Sequence, residues 1–384
     1  MKTVLCLAAF AAIAPAASSI FQVVRTPNEN FNNGLLAISA SSPNDIWAVG
    51  QSTIHYDGTA WTAFPAPGIK GNNTSNLGGV YDVSPTEAWA VGTTGITLGN
   101  LQQVIEHWDG SQWSVYPGPT FAPGDQPSLN AMTGIAPNDI WAVGSLLSNN
   151  GQLLSFLFEH WDGTSWTATT IPSGDAFLLA VSAAASNDVW AVGFTGPEND
   201  SSRTLVMHYD GKSWRQFATP SVGSGANQFN SVVAMAPNDV WAVGFSMAVP
   251  PPKRVPNQTL IEHWNGSSWA VVSSPNVGPN SVYQSNTLYG VTAVSSSDVW
   301  AFGSYFAASG SGHQMTLLEH WDGSSWTIQP SPNPGANGSF LSDILFAGVC
   351  PSPGDVWIVG AEDHAPYDIT LAIHSTTAAP MDPR

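Results

Sequence analysis

Short apolar runs alternate with clusters of turn-forming residues along nearly the whole chain. A typical stretch runs Leu35 to Ser41, breaks at Ser42-Pro43-Asn44-Asp45 and resumes as Ile46-Trp47-Ala48-Val49-Gly50. Runs of this length, bounded by Pro, Asn, Asp and Gly, predict β-strands. The second phrase then returns at Thr86 to Gly92, Asn138 to Gly144, Asn187 to Gly193, Asn238 to Gly244, Ser297 to Gly303 and Gly354 to Gly360, which makes seven copies. Their tryptophans (Trp47, Trp89, Trp141, Trp190, Trp241, Trp300, Trp357) lie 42, 52, 49, 51, 59 and 57 residues apart. That period suits propeller blades and is too long for leucine-rich repeats.

Six of these phrases are followed by another, His107-Trp108-Asp109-Gly110-Ser111-Gln112-Trp113 in the second copy, with counterparts at His55 to Trp61, His160 to Trp166, His208 to Trp214, His263 to Trp269 and His320 to Trp326. Asp-Gly or Asn-Gly between β-type runs is a strong hairpin signal. Each unit therefore contains four strands: an apolar one, the Trp-Ala-Val-Gly strand, the strand ending at the histidine phrase, and one starting at its final tryptophan. Four antiparallel strands per unit make a propeller blade.

The seventh unit stops after Thr370-Leu371-Ala372-Ile373-His374, which matches Thr316 to His320, and has no fourth strand. Phe21-Gln22-Val23-Val24-Arg25-Thr26-Pro27-Asn28 aligns residue for residue with Trp326 to Asn333 and supplies it. Pairing the first segment with the last removes an open sheet edge. The fold class expected is all-β: a single seven-bladed propeller of four-stranded antiparallel blades over residues 18–376, with residues 377–384 as a tail. All 17 tryptophans fall in the repeated phrases, so they are expected to pack blade against blade.

Composition adds to this picture. With 36 Gly, 29 Pro and little Lys or Glu, the chain suits many short strands joined by turns. Met1-Lys2, the apolar run Val4 to Ala14 and the small residues to Ala17 have the layout of a secretory signal, expected to span residues 1–17. That run is short for a membrane span, which needs about 20 apolar residues. Cys6 falls inside the signal and Cys350 is alone, so no intramolecular disulfide is expected in the mature chain, and Cys350 reads as a small buried hydrophobe. Nine basic residues against 27 acidic ones argue against nucleic acid or anionic membranes as partners. A secreted, extracellular monomer is the expectation.

The Trp-Asp pair in His-Trp-Asp-Gly resembles the WD-repeat signature. The hairpin also resembles the Asp-box of sialidases, from which it differs in having Asp322 and Gly323 adjacent. These resemblances imply a repeat-type β-propeller and no particular activity.

Chemistry is then sought outside the repeated positions. Of the 27 acids, seven belong to the first phrase, five to the hairpins, and four (Glu106, Glu159, Glu262, Glu319) precede the histidine. These 16 read as structural, as do His374 and the six phrase histidines. Among the rest, Asp82 and Asp343 lie on predicted innermost strands, and Glu362, Asp363, His364, Tyr367 and Asp368 cluster in one connection of the seventh unit. His313 is the other histidine out of pattern. No HExxH, Gly-x-Ser-x-Gly, phosphate-cradling or CxxC motif occurs, and no cofactor or metal is expected. Glycosylation acceptor triplets start at Asn72, Asn73, Asn199, Asn257, Asn265 and Asn337.

In a propeller, the turns between strands one and two and between three and four share one face, which here carries the constant phrases. The connections from strand two to three, and from blade to blade, share the other face and vary. A rigid scaffold with variable loops is a common way to mount a site. The expected function is a binding protein, lectin-like, taking extracellular carbohydrate or another polar ligand through that face. The alternative is a polysaccharide lyase or glycoside hydrolase with one site at the channel mouth, built from Asp82, Asp343, His313 or the Glu362 to Asp368 connection.

Overall fold

The computed structural model describes residues 21–28, 32–68, 75–95, 100–148, 152–196, 201–249, 256–278, 285–306, 313–337, 342–364 and 367–376. The expected signal and the tail 377–384 lie outside them. Seven four-stranded antiparallel sheets form the blades, each ordered from its first strand outward. Blade 1 is Leu35–Ser42, Asp45–Gly50, Thr53–Tyr56 and Trp61–Ala63. Blade 7 is Asp343–Ser352, Asp355–His364 and Tyr367–Thr376, completed by Phe21–Val23.

The closing strand sits in register, with Phe21 opposite Ser375 and Val23 opposite Ile373. The residues after it lock the seam. Asn28 Oδ1 accepts the Thr370 N–H at 2.7 Å, as Asn333 Oδ1 accepts that of Thr316 at 2.7 Å and Asn276 Oδ1 that of Thr259 at 3.0 Å. The Thr-Pro-Asn and Ser-Pro-Asn triplets are therefore one device, tying the end of a fourth strand to the third strand of its own blade. Phe21 stands where other blades begin their fourth strand with tryptophan, and it meets Trp300 edge-on at 5.2 Å.

The second strand of each blade is sandwiched on both faces, so all six residues of Asp45–Gly50 are buried and the run need not alternate. Its terminal glycine is sterically required. A Cβ on Gly50 would lie 2.1 Å from the Gly34 carbonyl oxygen, and at the equivalent glycines the distance is 1.9 to 2.0 Å. A register shift in each first strand, as between Leu35 and Ala37, accompanies this close approach. The hairpins between third and fourth strands are four-residue turns held by the aspartate. Asp57 Oδ1 accepts the N–H groups of Thr59 and Ala60 at 2.9 and 3.0 Å, which with the Thr59 hydroxyl holds its carboxyl down at about 2. Gly58, at φ +90°, occupies the backbone region that favours glycine.

The repeated tryptophan, histidine and aspartate form one unit. In blade 4, Asp188 Oδ1 accepts from the Trp190 indole at 2.8 Å and pairs with His208 Nε2 at 2.7 Å, while the two rings lie 4.1 Å apart. The Asp–His contact recurs at 2.6 to 2.9 Å in blades 1, 3, 5, 6 and 7. Each such tryptophan also meets rings of the following blade: Trp47 is 4.9 Å from both Trp108 and Trp113. A third ring closes three of these seams. Phe64, Tyr116 and Phe217, three residues into or just past their fourth strands, lie 5.6, 4.9 and 5.5 Å from Trp47, Trp89 and Trp190.

Four glutamates are buried between blades at the position before the histidine, where the other blades have Ile54, Met207 and Ile373. Glu106, Glu159, Glu262 and Glu319 are all 0% exposed. Burial lifts Glu106 to about 7, Glu159 and Glu262 to about 8, and Glu319 well above the usual carboxyl range. Asp82 behaves alike: burial, and then the charge of Asp45, raise it to about 8, while its Oδ2 accepts the Ser41 N–H at 3.0 Å.

Two predictions follow from these contacts. Phe21→Ala opens a core cavity at the seam and costs about 3 kcal/mol, read by urea unfolding. The five raised carboxyls are protonated in both states below the unfolded pKa, near 4. As pH rises toward 8 the unfolded chain releases these protons first, so stability is highest below that range and declines up to about pH 8. Glu262→Gln and Asp82→Asn should each recover on the order of 1–2 kcal/mol at pH 8 and little at pH 5, measured by unfolding at both values, with Glu319→Gln shifting in the same direction.

Candidate functional site

The connection expected over Ala361 to Asp368 is largely a β-hairpin. The second strand of blade 7 continues through His364 and the third begins at Tyr367, and residues 365–366 between them lie outside the described residues. Cross-strand pairing explains this, with Glu362 opposite Ile369, Asp363 opposite Asp368 and His364 opposite Tyr367. Strand alternation then divides what the sequence presents as one cluster.

Glu362 is 7% exposed and pairs across the sheet with Asp343, which is fully buried at the start of the first strand. Asp343 accepts the Gly335 N–H at 3.1 and 3.3 Å, from the 3-10 turn Pro334–Asn337 that leads out of blade 6. Asp363 faces Asp368 directly. Burial first, and then the Asp363 charge, raise the Asp368 carboxyl. Tyr367, at 45% exposure, is the large apolar side chain that this hairpin presents to solvent.

Ser342 gathers these groups at the seam of blades 6 and 7. Its carbonyl accepts the Asp363 N–H at 2.7 Å, and its hydroxyl accepts the Gln314 N–H at 3.2 Å. His313, half-buried beside Gln314, belongs to the same seam. The strand carrying Asp368 is also tied to the chain leading into blade 1, because Asn33 donates its backbone N–H and its amide to the Asp368 carbonyl at 3.1 and 3.2 Å. His313, Asp343, Glu362, Asp363, Tyr367 and Asp368 are thus brought together on the face of varied connections.

Asp82 is not part of this group. It sits near the other end of its strand, Ser75–Ser84, against the first turn of blade 1, where it takes the place of Ala40 and bonds Ser41. A channel-mouth site using both Asp82 and Asp343 is thereby excluded, since the two carboxyls lie toward opposite faces. The channel itself, a cavity of about 350 Å³, is lined by small and apolar groups with Asn130, Asn230 and Tyr289 among them, and by neither aspartate. Asn130 and Asn230 donate to the carbonyls of Leu178 and Leu288 on neighbouring first strands at 2.8 and 2.7 Å. Their signal in the sequence is a carboxamide directly after Leu129 and Phe229 in otherwise apolar runs.

Among the described residues no group of three or more His, Cys, Asp or Glu is placed to hold a metal, and no helix is long and apolar enough to cross a membrane. Burial pushes the Cys350 thiol up to about 12, consistent with an inert packing role. Of the acceptor triplets, Asn72, Asn73 and Asn199 fall outside the described residues. Asn265 is exposed in a hairpin, Asn257 is half-buried with its amide donating to Thr287 at 3.3 Å, and Asn337 ends the 3-10 turn.

What the seam offers chemically is a set of anchored hydrogen-bond acceptors beside an exposed aromatic ring. Asp343, at 0% exposure, does not face solvent as a general acid or base must.

No family model matches the chain, and no curated protein matches it. Solved structures do. A structure described as "YCF48 bound to D1 peptide" is similar with a TM-score of 0.56 at 13% identity, over 94% of this chain and 98% of that one. A streptogramin B lyase is similar with a TM-score of 0.54 at 13% identity, over 88% and 94%. The WD40 repeats of RRP9 are similar with a TM-score of 0.44 at 9% identity, over 70% and 72%. At these identities the likeness is one of fold, and the chain is similar to these proteins as a propeller.

Proposed function

We propose that this protein is a secreted binding propeller that takes a hydroxyl-rich ligand, carbohydrate being the class, at the seam of blades 6 and 7. The observation that carries the reading is Tyr367, exposed on one face of the hairpin whose other face carries the cross-strand pair Asp363 and Asp368. An aromatic face stacks on the apolar side of a sugar ring, and holding that aromatic on paired strands lowers the entropy lost on binding. The two similar structures with the higher TM-scores, one bound to a peptide and one a lyase, are compatible with a binding role and with a catalytic one. Burial of Asp343 and the distant placement of Asp82 favour binding. Secretion rests on the apolar run Val4 to Ala14 and the small residues after it.

A neutral-glycan array followed by calorimetry on a bound glycan tests this reading. Tyr367→Ala should weaken binding at least tenfold, about 1.4 kcal/mol, without lowering the unfolding temperature. Folded protein that binds no glycan, or a Tyr367→Ala variant that binds as wild type, would overturn it. Mass spectrometry of protein recovered from culture medium checks export, with a mature chain beginning just after Ala17 as the expected result.

A further inference from the structure

Three seams between blades hold a ring that the fold supplies itself. Phe64 sits against Trp47, His55 and Trp108 at 5.6, 6.2 and 5.2 Å. Tyr116 meets Trp89, His107 and Trp161 at 4.9, 6.0 and 5.5 Å, and Phe217 meets Trp190, His208 and Trp264 at 5.5, 5.6 and 5.3 Å. Counting three residues on from the first residue of the closing strand, Phe21, the equivalent position between blades 7 and 1 is Val24.

The receiving rings are nonetheless all present at this seam. Trp357 stacks on His374 at 3.8 Å, Tyr56 lies 4.8 Å from Trp357, and Trp61 lies 5.5 Å from Trp357. With valine where three other seams have a ring, a groove of about 870 Å³ remains, lined by Val24, Arg25, Tyr56, Trp61, Trp357 and His374 among others. A smaller cavity of about 310 Å³ lies between blades 5 and 6, lined by Trp241, His263 and Trp321 among others and by no Lys or Arg.

Two further features select the occupant. Arg25 is exposed at the groove, one of nine basic residues in a chain with 27 acidic ones, and so favours a carboxylate there. The Val24 N–H points inward to the Ala372 carbonyl at 2.9 Å, so strand alternation turns the backbone groups of Val23 and Arg25 outward along an unpaired edge. An extended chain can add to that edge.

We propose that the groove between blades 7 and 1 is a docking site for an extended polypeptide segment of a partner, which inserts a Phe, Tyr or Trp side chain where Phe64, Tyr116 and Phe217 sit elsewhere and places a carboxylate near Arg25. This chain's own residues 377–384 contain no aromatic side chain. The site lies on the outer flank, away from the hairpin bearing Tyr367, so either site can fail while the other stands.

The test uses a Val24→Phe variant of the full chain, which fills the slot from within. A phage-displayed random peptide library is panned on wild-type protein with the variant as counter-selection. Enriched peptides should carry an aromatic residue with Asp or Glu close by, bind Val24→Phe at least tenfold more weakly, and lose affinity on Arg25→Gln. The variant itself should unfold at a higher temperature than wild type, as expected of a filled slot. Enrichment without aromatic residues, equal binding to the variant, or no enrichment overturns the proposal. So does hydrogen-exchange protection of residues 377–384 that is present in wild type and lost in Val24→Phe, since the chain's own tail would then be the occupant.

Discussion

The aspartate that pairs with the third-strand histidine, and in blades 3 and 4 also accepts from the tryptophan indole, is the contact on which the blades depend. It joins the start of the second strand to the third, and it holds the histidine flat against the tryptophan that the next blade packs upon. One interaction therefore serves two interfaces, within a blade and between blades. Blade 2 shows its tolerance. There Glu87 reaches the Trp89 indole at 3.4 Å, and burial lowers the His107 pKa while the ring stays 4.2 Å from the tryptophan. Stacking is thus retained where the carboxylate differs in length. Because these units and the repeated rings packed on them take up all 17 tryptophans and seven of the nine histidines, the residues left for recognition are few and local.

The blade count and the closure were legible in the sequence because both are periodic. A strand ending in Trp-Ala-Val-Gly must repeat wherever the same carbonyl crowds the same glycine, and the match of Phe21–Asn28 to Trp326–Asn333 is a register that the sheet reproduces to the residue. The site was legible only as composition. Glu362 and Asp363 are adjacent in sequence, yet alternation along a strand sends one inward toward Asp343 and the other to face Asp368. Nothing in the local pattern distinguished a hairpin from a loop there, since the strand extension depends on pairing between residues on either side of the turn. Asp82 misled for a related reason. Membership of an innermost strand says nothing about which end of the strand a residue occupies, and its end faces blade 1 and not the seam of blades 6 and 7.

Burial has opposite meanings for the two sets of acids. The hairpin aspartates are exposed and saturated with N–H donors, which holds them ionised. The glutamates beneath the histidines are sealed between blades and keep their protons well above the usual carboxyl range. The formal net charge of −18 therefore overstates the charge of the folded molecule near neutrality. A long-range acidic field is correspondingly weaker, and local groups such as Arg25 count for more.

The closing strand has a consequence for the order of assembly. Phe21 pairs with Ser375 across almost the whole chain, so the first strand to be made is the last to find its partner. The six blades between them can form from contacts close in sequence, whereas the seventh waits for both ends. Until then Phe21–Val23 is a short unpaired strand with an apolar ring, and the unfinished ring presents a free edge at Tyr367–Thr376. For this architecture the hazardous interval is the time spent as a complete but unclosed circle, which sets a kinetic demand that none of the individual blades reveals.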